Sequence, residues 1–543
     1  MATTLRRLAF YSSGLLVMCI AGLPVIGLTL GLWPPVELSW HDVSRFVEYN
    51  GLTTSILNSL FLSLAAPVIA WYVAFLVYSQ YRFSPAWQSL EKRLSPLLSL
   101  PHLAVALGLV YLFSSGGVLW NSIAVPEWLS LPRKSLLTMM LALTIKEVPF
   151  FLLIFGALGR QLPIKSWLLQ GRALGHSEAA SWWLLVLPAL LKQSRLALLA
   201  AMAYCLSVLD ISLLVGPNIP QLYAVVLYHW QTGFSAIEQS QAFIANLVLL
   251  LLLGVLVAAI YLHEWLAVKR IHYHGVMAHR LKMASLGRLF SYWLVSFSVL
   301  SIAILVTFFL WSVGWNSQSH ISSADLSFTL WQAEWFFMQT PLFNSLVIGL
   351  ISSGVGVGVS LLALELQQQK QTYLPDYLWL MAILLPQLSM VYGWQIAHTA
   401  FSGGYGMSWV VLAHVPFTFA YSYLVLRGPF QSIDRRYELL AASFGFSYWQ
   451  RWWLIRFRLL SPALLSAFAI AFSVSMAQYI STLMIGAGRV VTITTEAVAI
   501  ASGNEQGITA VYILVQAVLP FMVFLIASIL AHRLRGSVNV TYH

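Results

Sequence analysis

Apolar runs of about 20 residues or more recur along the whole chain, separated by shorter stretches that carry most of the lysines and arginines. A helix needs about 20 residues, at about 1.5 Å each, to cross a hydrocarbon core about 30 Å thick. The pattern therefore predicts twelve spans, at 8–32, 52–78, 96–116, 135–158, 194–216, 241–266, 289–314, 344–366, 377–400, 406–427, 459–486 and 509–532. Arg6 and Arg7 precede the first run as they would in a secretory signal. That run is about 25 residues long and lacks a small-x-small cleavage site, so it reads as a retained span, with a cleaved signal as the alternative.

Composition agrees. A chain of 543 residues that is 59% hydrophobic and 9% charged has too little polar surface to cover water-soluble domains. With the N-terminus in the cytoplasm, 24 of the 29 lysines and arginines fall in cytoplasmic segments or span ends. The others are Arg45, Arg133, Lys134 and Arg489 outside and Lys146 within a span. The asymmetry predicts a multi-pass membrane protein with both termini cytoplasmic. The net charge of +11 is thus a topology signal, and its dispersal argues against a nucleic-acid-binding face. Cys19 and Cys205 both lie inside predicted spans and imply no disulfide framework. His272, His274 and His279 sit in a basic stretch without thiolate or carboxylate ligands at a metal-binding spacing.

The two halves repeat the same landmarks in the same order. Asn58-Ser59-Leu60 opens the second span and Asn344-Ser345-Leu346 the eighth. Pro101 precedes Gly108, and Pro386 precedes Gly393, by seven residues each; Gly116-Gly117 and Gly403-Gly404 follow. Val148-Pro149-Phe150 lies in the fourth span and Val415-Pro416-Phe417 in the tenth. The fold class is an all-α polytopic membrane protein with two parallel six-helix repeats. The modules are 1–266 and 289–543, joined by a basic cytoplasmic linker at 267–288.

The repetition is closest in two cytoplasmic loops, about 159–193 and 428–458. Gly175 precedes Trp182-Trp183-Leu184 at the spacing by which Gly445 precedes Trp452-Trp453-Leu454. Each loop reads as a short helix, a glycine turn at positive φ and a second helix leading to the next span, with Pro163 opening the first copy and Pro188 limiting its second helix. Tryptophan-rich helices of this kind also rest on lipid surfaces. A surface anchor has no need to recur at one spacing, whereas docking sites for a two-fold partner do.

Inside the spans, Lys146 and Glu147 lie near mid-depth, and the repeat aligns Glu147 with His414. Each stands two residues before a proline, Pro149 or Pro416, of the kind that accompanies a helix discontinuity along a pathway. With Asp210 as a third candidate, these residues either flank a translocation route or satisfy neighbouring helices. Lys146 and Glu147 point about 100° apart and do not pair with each other.

The order Gly, nine residues, aliphatic, any residue, Leu, Pro, met here by Gly175, Leu185, Leu187 and Pro188, resembles the cytoplasmic signature of permeases of binding-protein-dependent ABC importers. Stretches such as LPHLAVALGL, IKEVPFFLL and LSVLDISLLVGPN resemble the double-length fused branch of ferric-iron and thiamine permeases, and within it the Ynj-type. The family's loop opens with Glu-Ala-Ala; here Leu169, Gln170 and Gly171, and Leu439, Leu440 and Ala441, stand in its place. Glu178-Ala179-Ala180 follows the glycine and is out of register. The second loop has Phe457 and Arg458 in place of Leu-Pro, so unequal coupling is expected of the two copies.

The resemblance implies a type I importer permease of the bacterial inner (plasma) membrane, whose loop helices sit in clefts of a separate cytoplasmic ABC ATPase, present in two copies, with a periplasmic or extracellular substrate-binding protein on the other side. It assigns ATPase coupling to Arg172, Leu174, Gly175, Leu187 and Pro188, and to Glu438, Phe444 and Gly445. The chain has no Gly-x4-Gly-Lys-Ser/Thr stretch to cradle phosphates, so it reads as a transport subunit that is not itself an enzyme and binds no cofactor, ATP being used by the partner. A secondary carrier also has two parallel six-span halves, and a membrane assembly protein is a third class. The paired loops favour the importer. The sequence does not specify the substrate.

Overall fold

The computed structural model describes residues 2–33, 38–85, 87, 90, 100–115, 117, 130–274, 299–315, 326–370, 374–401, 406–503 and 505–539. Among them every regular element is helical, apart from one bridge between Ser114 and Leu131. The first module comprises α1 (Ala2–Gly31), α2 (Trp40–Val47), α3 (Leu52–Tyr81), α4 (His102–Phe113), α5 (Leu136–Gln161), α6 (Ile164–Ala173), α7 (Glu178–Ser207), α8 (Asp210–Leu214), α9 (Tyr223–Gln231) and α10 (Ala236–His274). The second comprises α11 (Val299–Ser312), α12 (Thr329–Lys370), single turns at Asp376–Trp379 and Met381–Leu384, α13 (Gln387–Phe401), α14 (Met407–Gln431), α15 (Arg435–Ser443), α16 (Tyr448–Met476), α17 (Tyr479–Gly486), α18 (Ile493–Ser502) and α19 (Gln506–Asn539). Among the described residues nine helices are long and apolar enough to span a membrane: α1, α3, α5, α7, α10, α12, α14, α16 and α19. The shorter α4, α11 and α13 occupy the remaining predicted spans, so an all-α polytopic fold in two like modules is what the chain adopts.

Among the boundaries that differ, three do so for a common reason: hydropathy counts apolar residues without registering where a helix turns. The predicted spans 194–216 and 459–486 begin earlier, at Glu178 and Tyr448, and break at 208–209 and 477–478, after which the chain forms the short helices α8 and α17. The span expected at 377–400 is cut at Pro386, whose ring removes a donor and forces the preceding residue into extended backbone. Pro149 and Pro416, by contrast, cause no discontinuity, since α5 and α14 run through both. The linker's first residues, 267–274, continue α10, while 275–288, with His279, lie outside the described residues, as do Gly116, Gly403 and Gly404.

The modules interlock through their first helices. α1 packs on α13 of the opposite module, where a Cβ on Gly393 would come within 1.7 Å of the Gly27 carbonyl oxygen. Trp394 Nε1 donates to the Leu23 carbonyl there at 2.8 Å. α11 meets α4 in the same way: a Cβ on Gly108 would come within 2.5 Å of Ile304, and Tyr111 packs against Trp311. The repeated glycines therefore mark the two crossings between modules.

The repeated Asn-Ser-Leu also acquires a role. The first N–H groups of a helix have no partner within it. Ser59 Oγ of α3 accepts the Tyr223 N–H at the start of α9 at 2.8 Å, and Ser345 Oγ of α12 accepts the Ile493 N–H at the start of α18 at 2.9 Å. One serine per module thus fixes the short helix that returns the chain to its last span.

Candidate functional site

Each of the two repeated loops forms a compact knuckle. α6 and α15 both end in a Schellman motif around a left-handed glycine, Gly175 at φ +81° and Gly445 at φ +79°. His176 N–H bonds to the Gly171 carbonyl at 2.9 Å and Gly175 N–H to that of Arg172 at 3.0 Å; the corresponding bonds run from Phe446 to Ala441 at 3.1 Å and from Gly445 to Ala442 at 3.0 Å. Ser177 and Ser447 then cap α7 and α16, accepting from the N–H groups of Ala180 and Gln450. In both helices a π-turn follows the first α-helical turn, at Trp182–Val186 and Trp452–Arg456. Pro188 does not limit its helix, because α7 continues through it to Ser207. It is not needed for the π-turn either, which recurs where Arg458 replaces it. The backbones of the two copies match, and the degeneracy visible in the second motif is confined to side chains.

The residues assigned to coupling fall into two layers. Leu174 and Phe444 share the same position at the tip and are 75% and 73% exposed, beside the glycines. Arg172 is also exposed and pairs with Glu178. Beneath them Leu187 is buried, Pro188 is half-buried, and Glu438 forms an ion pair with Arg456. Where the family has its second alanine, Gly171 and Ala441 are both small. A Cβ on Gly171 would meet Ser181 Oγ at 2.1 Å, so small size, rather than the Glu-Ala-Ala wording, is what this crossing of α6 over α7 demands.

A second group of polar residues lies within the membrane-spanning region. Glu147 is buried and 3.5 Å from His102 Nε2, and the His102 ring packs on Tyr204. Lys146 donates to the Leu100 carbonyl. In the second module His414 is buried, with Nδ1 2.8 Å from Ser475 Oγ and Nε2 3.0 Å from Thr482 Oγ1. Gln387 Nε2 donates to Gln478 Oε1 at 2.5 Å. Asp210 lies beyond the break in α7, as the first residue of α8, rather than within a span as expected. Glu147 and His414 thus engage partners of their own modules instead of meeting each other.

The two sets nevertheless adjoin across the interface. The Gln387 N–H of the second module reaches Ser207 Oγ of the first at 3.4 Å. Sequence reasoning missed His102 and Gln387, although each directly follows a landmark proline, Pro101 or Pro386. Among the described residues no cluster of three or more potential metal ligands occurs.

Comparison with known proteins converges on one family. The profile described as "Binding-protein-dependent transport system inner membrane component" matches residues 273–536, essentially the second module. Over 542 residues, 98% of each chain, the sequence is 30% identical to "Inner membrane ABC transporter permease protein YnjC" of Escherichia coli (strain K12).

Proposed function

The chain belongs to the family of binding-protein-dependent ABC importer permeases, and from that premise we propose that it lines the substrate route between its two modules and couples that route to a separate cytoplasmic ATPase through the two knuckles. The observation that carries the reading is the pair of Schellman-capped knuckles, alike in backbone and each with a bare apolar residue at its tip. An exposed leucine or phenylalanine beside a rigid turn suits a cleft in a partner, and two such tips suit two copies of it. ATP is consumed by that partner, and the chain binds no cofactor of its own. Both termini face the cytoplasm in this arrangement. Substrate is delivered from the opposite side by a binding protein, to the interior polar group around Glu147, Asp210 and His414, where α5 and α14 carry Pro149 and Pro416.

The test is co-purification with the cognate ATPase. Leu174→Glu, and separately Phe444→Glu, are expected to weaken ATPase retention and abolish nucleotide-driven function while the chain still inserts at its normal level. Transport into vesicles on an ion gradient alone, without ATP or any ATPase, would overturn the proposal.

A further inference from the structure

The second knuckle contains a buried charged group whose matching positions in the first module are uncharged. Arg456, in the π-turn at the head of α16, has a side chain only 7% exposed and forms ion pairs with Glu438 of α15 and Glu365 near the end of α12. Its Nε donates to Glu438 Oε1 at 2.7 Å, and its guanidinium lies 5.1 Å from the centre of the Phe430 ring at the end of α14. Glu365 also accepts the indole N–H of Trp452 at 2.8 Å. In the register set by the repeated landmarks, the first module has Val186 for Arg456, Leu168 for Glu438 and Ser79 for Glu365. Val186 and Leu168 are buried in the main apolar core.

An apolar contact tolerates sliding, because dispersion and burial carry no direction. A guanidinium held between two carboxylates does not, since charge-assisted hydrogen bonds are directional and breaking one inside the protein leaves an uncompensated charge. The helix gripped in this way is informative. α12 runs unbroken from Thr329 to Lys370. Thirteen residues before Glu365, about 20 Å along the helix, Ser352 Oγ bonds to Ser475 Oγ at 3.0 Å, and Ser475 in turn contacts His414. Further back, Ser345 caps α18. One rod therefore joins the knuckle, the interior polar group and the returning helix.

We propose that Glu365 and Arg456 are positioning residues that lock the second knuckle to α12, so that a displacement of the knuckle moves the helix bearing Ser352 and Ser345, whereas the matching positions of the first knuckle, Val186 and Leu168, are held by apolar packing. This rests on the reading of the knuckles as ATPase docks.

The test uses the full-length permease with its cognate ATPase in lipid nanodiscs, and ATP with vanadate as the probe, so no substrate is required. Ser481 of α17 donates to Gln478 Oε1 at 3.1 Å within the interior polar group, and Ser481→Cys, in a background with Cys19→Ser and Cys205→Ala, reports on that group through labelling by a polar maleimide. In Glu365→Gln the ATPase should remain bound at wild-type stoichiometry and hydrolyse ATP, while the nucleotide-dependent change in labelling falls about fivefold or more. Glu365→Asp, which keeps the charge, should retain most of the change, and Ser79→Ala in the first module should leave it unaltered. An unchanged response in Glu365→Gln would overturn the inference. So would loss of ATPase binding in parallel with the response, since the pair would then merely shape the dock. A wild-type permease that retains no ATPase would instead overturn the reading on which the inference rests. If Glu365→Gln does not fold, Arg456→Lys provides the second arm: it keeps the charge but cannot bridge both carboxylates, so the response should again fall with the ATPase bound, and a full response would overturn the inference.

Discussion

The two knuckles have nearly the same backbone and different interiors. In both, a left-handed glycine closes one helix, a serine caps the next and a π-turn leads into the span. Beneath that shared frame the first is closed by Val186 and Leu168 packed in the core, the second by Arg456 between Glu365 and Glu438. The frame is set by local residues that the duplication kept. The filling was free to diverge, because an apolar contact and an ion-paired group both close the same gap. Divergence of the signature in the second copy therefore does not mean loss of its geometry.

The largest effect should come from removing the cation. Arg456→Met leaves two carboxylates facing each other in a partly buried site, and breaking a buried pair on one side costs about 3–5 kcal/mol. Val186→Ala, at the corresponding place in the first module, removes two buried methyl groups and should cost about 2 kcal/mol. Thermal unfolding of the purified permease measures both. Replacing all three charged residues by those of the first module, with Arg456→Val, Glu438→Leu and Glu365→Ser, should recover most of the stability lost in Arg456→Met, because a buried ion group and a packed apolar one are often equivalent. Equal losses in Arg456→Met and Val186→Ala would mean that the two interiors do the same work.

A smaller effect, and an equal one in both copies, is expected at the turn. A Cβ on Gly175 or on Gly445 would meet nothing within 4 Å, so substitution there is penalised through the backbone alone. Holding an L-residue in the left-handed region costs about 1–2 kcal/mol, and asparagine less than alanine. Gly175→Ala and Gly445→Ala should therefore lower the stability of the knuckles by similar amounts, read as a matching rise in amide hydrogen exchange across α6 and α15. A difference between them would break the equivalence of the two frames.

How far the sequence carried these conclusions depends on what each feature rests on. The spans and the duplication were legible because apolar length and landmark order are linear properties. The glycine turns were legible because positive φ is a local demand that few residues other than glycine meet readily. The breaks after Ser207 and Met476 were hidden, since apolar residues continue on both sides of each. Pro149 and Pro416 misled in the opposite direction: a proline in sequence suggests a discontinuity, but each helix runs on through it. Glu365 lies 91 residues from Arg456, and nothing local in either stretch announces the other. The landmark serines and glycines were visible as repeats, but their purpose became readable only once α9, α18 and the opposite module stood against them.

The smallest effect on stability should come from Arg172. Its pair with Glu178 is formed between side chains more than half exposed, 57% and 51%, where solvent screening leaves such a pair worth about 0–1 kcal/mol. Arg172→Ala should thus leave the unfolding temperature nearly unchanged. Arg456 differs in kind, because its side chain is largely buried, whereas the Arg172 guanidinium remains available to an incoming partner. If Arg172 contributes to docking, its removal should weaken ATPase retention and reduce the dependence of that retention on ionic strength, since exposed charges act at a range that salt shortens. Glu178→Gln should act in the opposite direction, releasing the guanidinium from its neighbour and strengthening retention at low salt. A loss of thermal stability in Arg172→Ala comparable to that in Arg456→Met would show that the exposed pair is also part of the frame, and the division between a conserved frame and a divergent interior would then have to be drawn elsewhere.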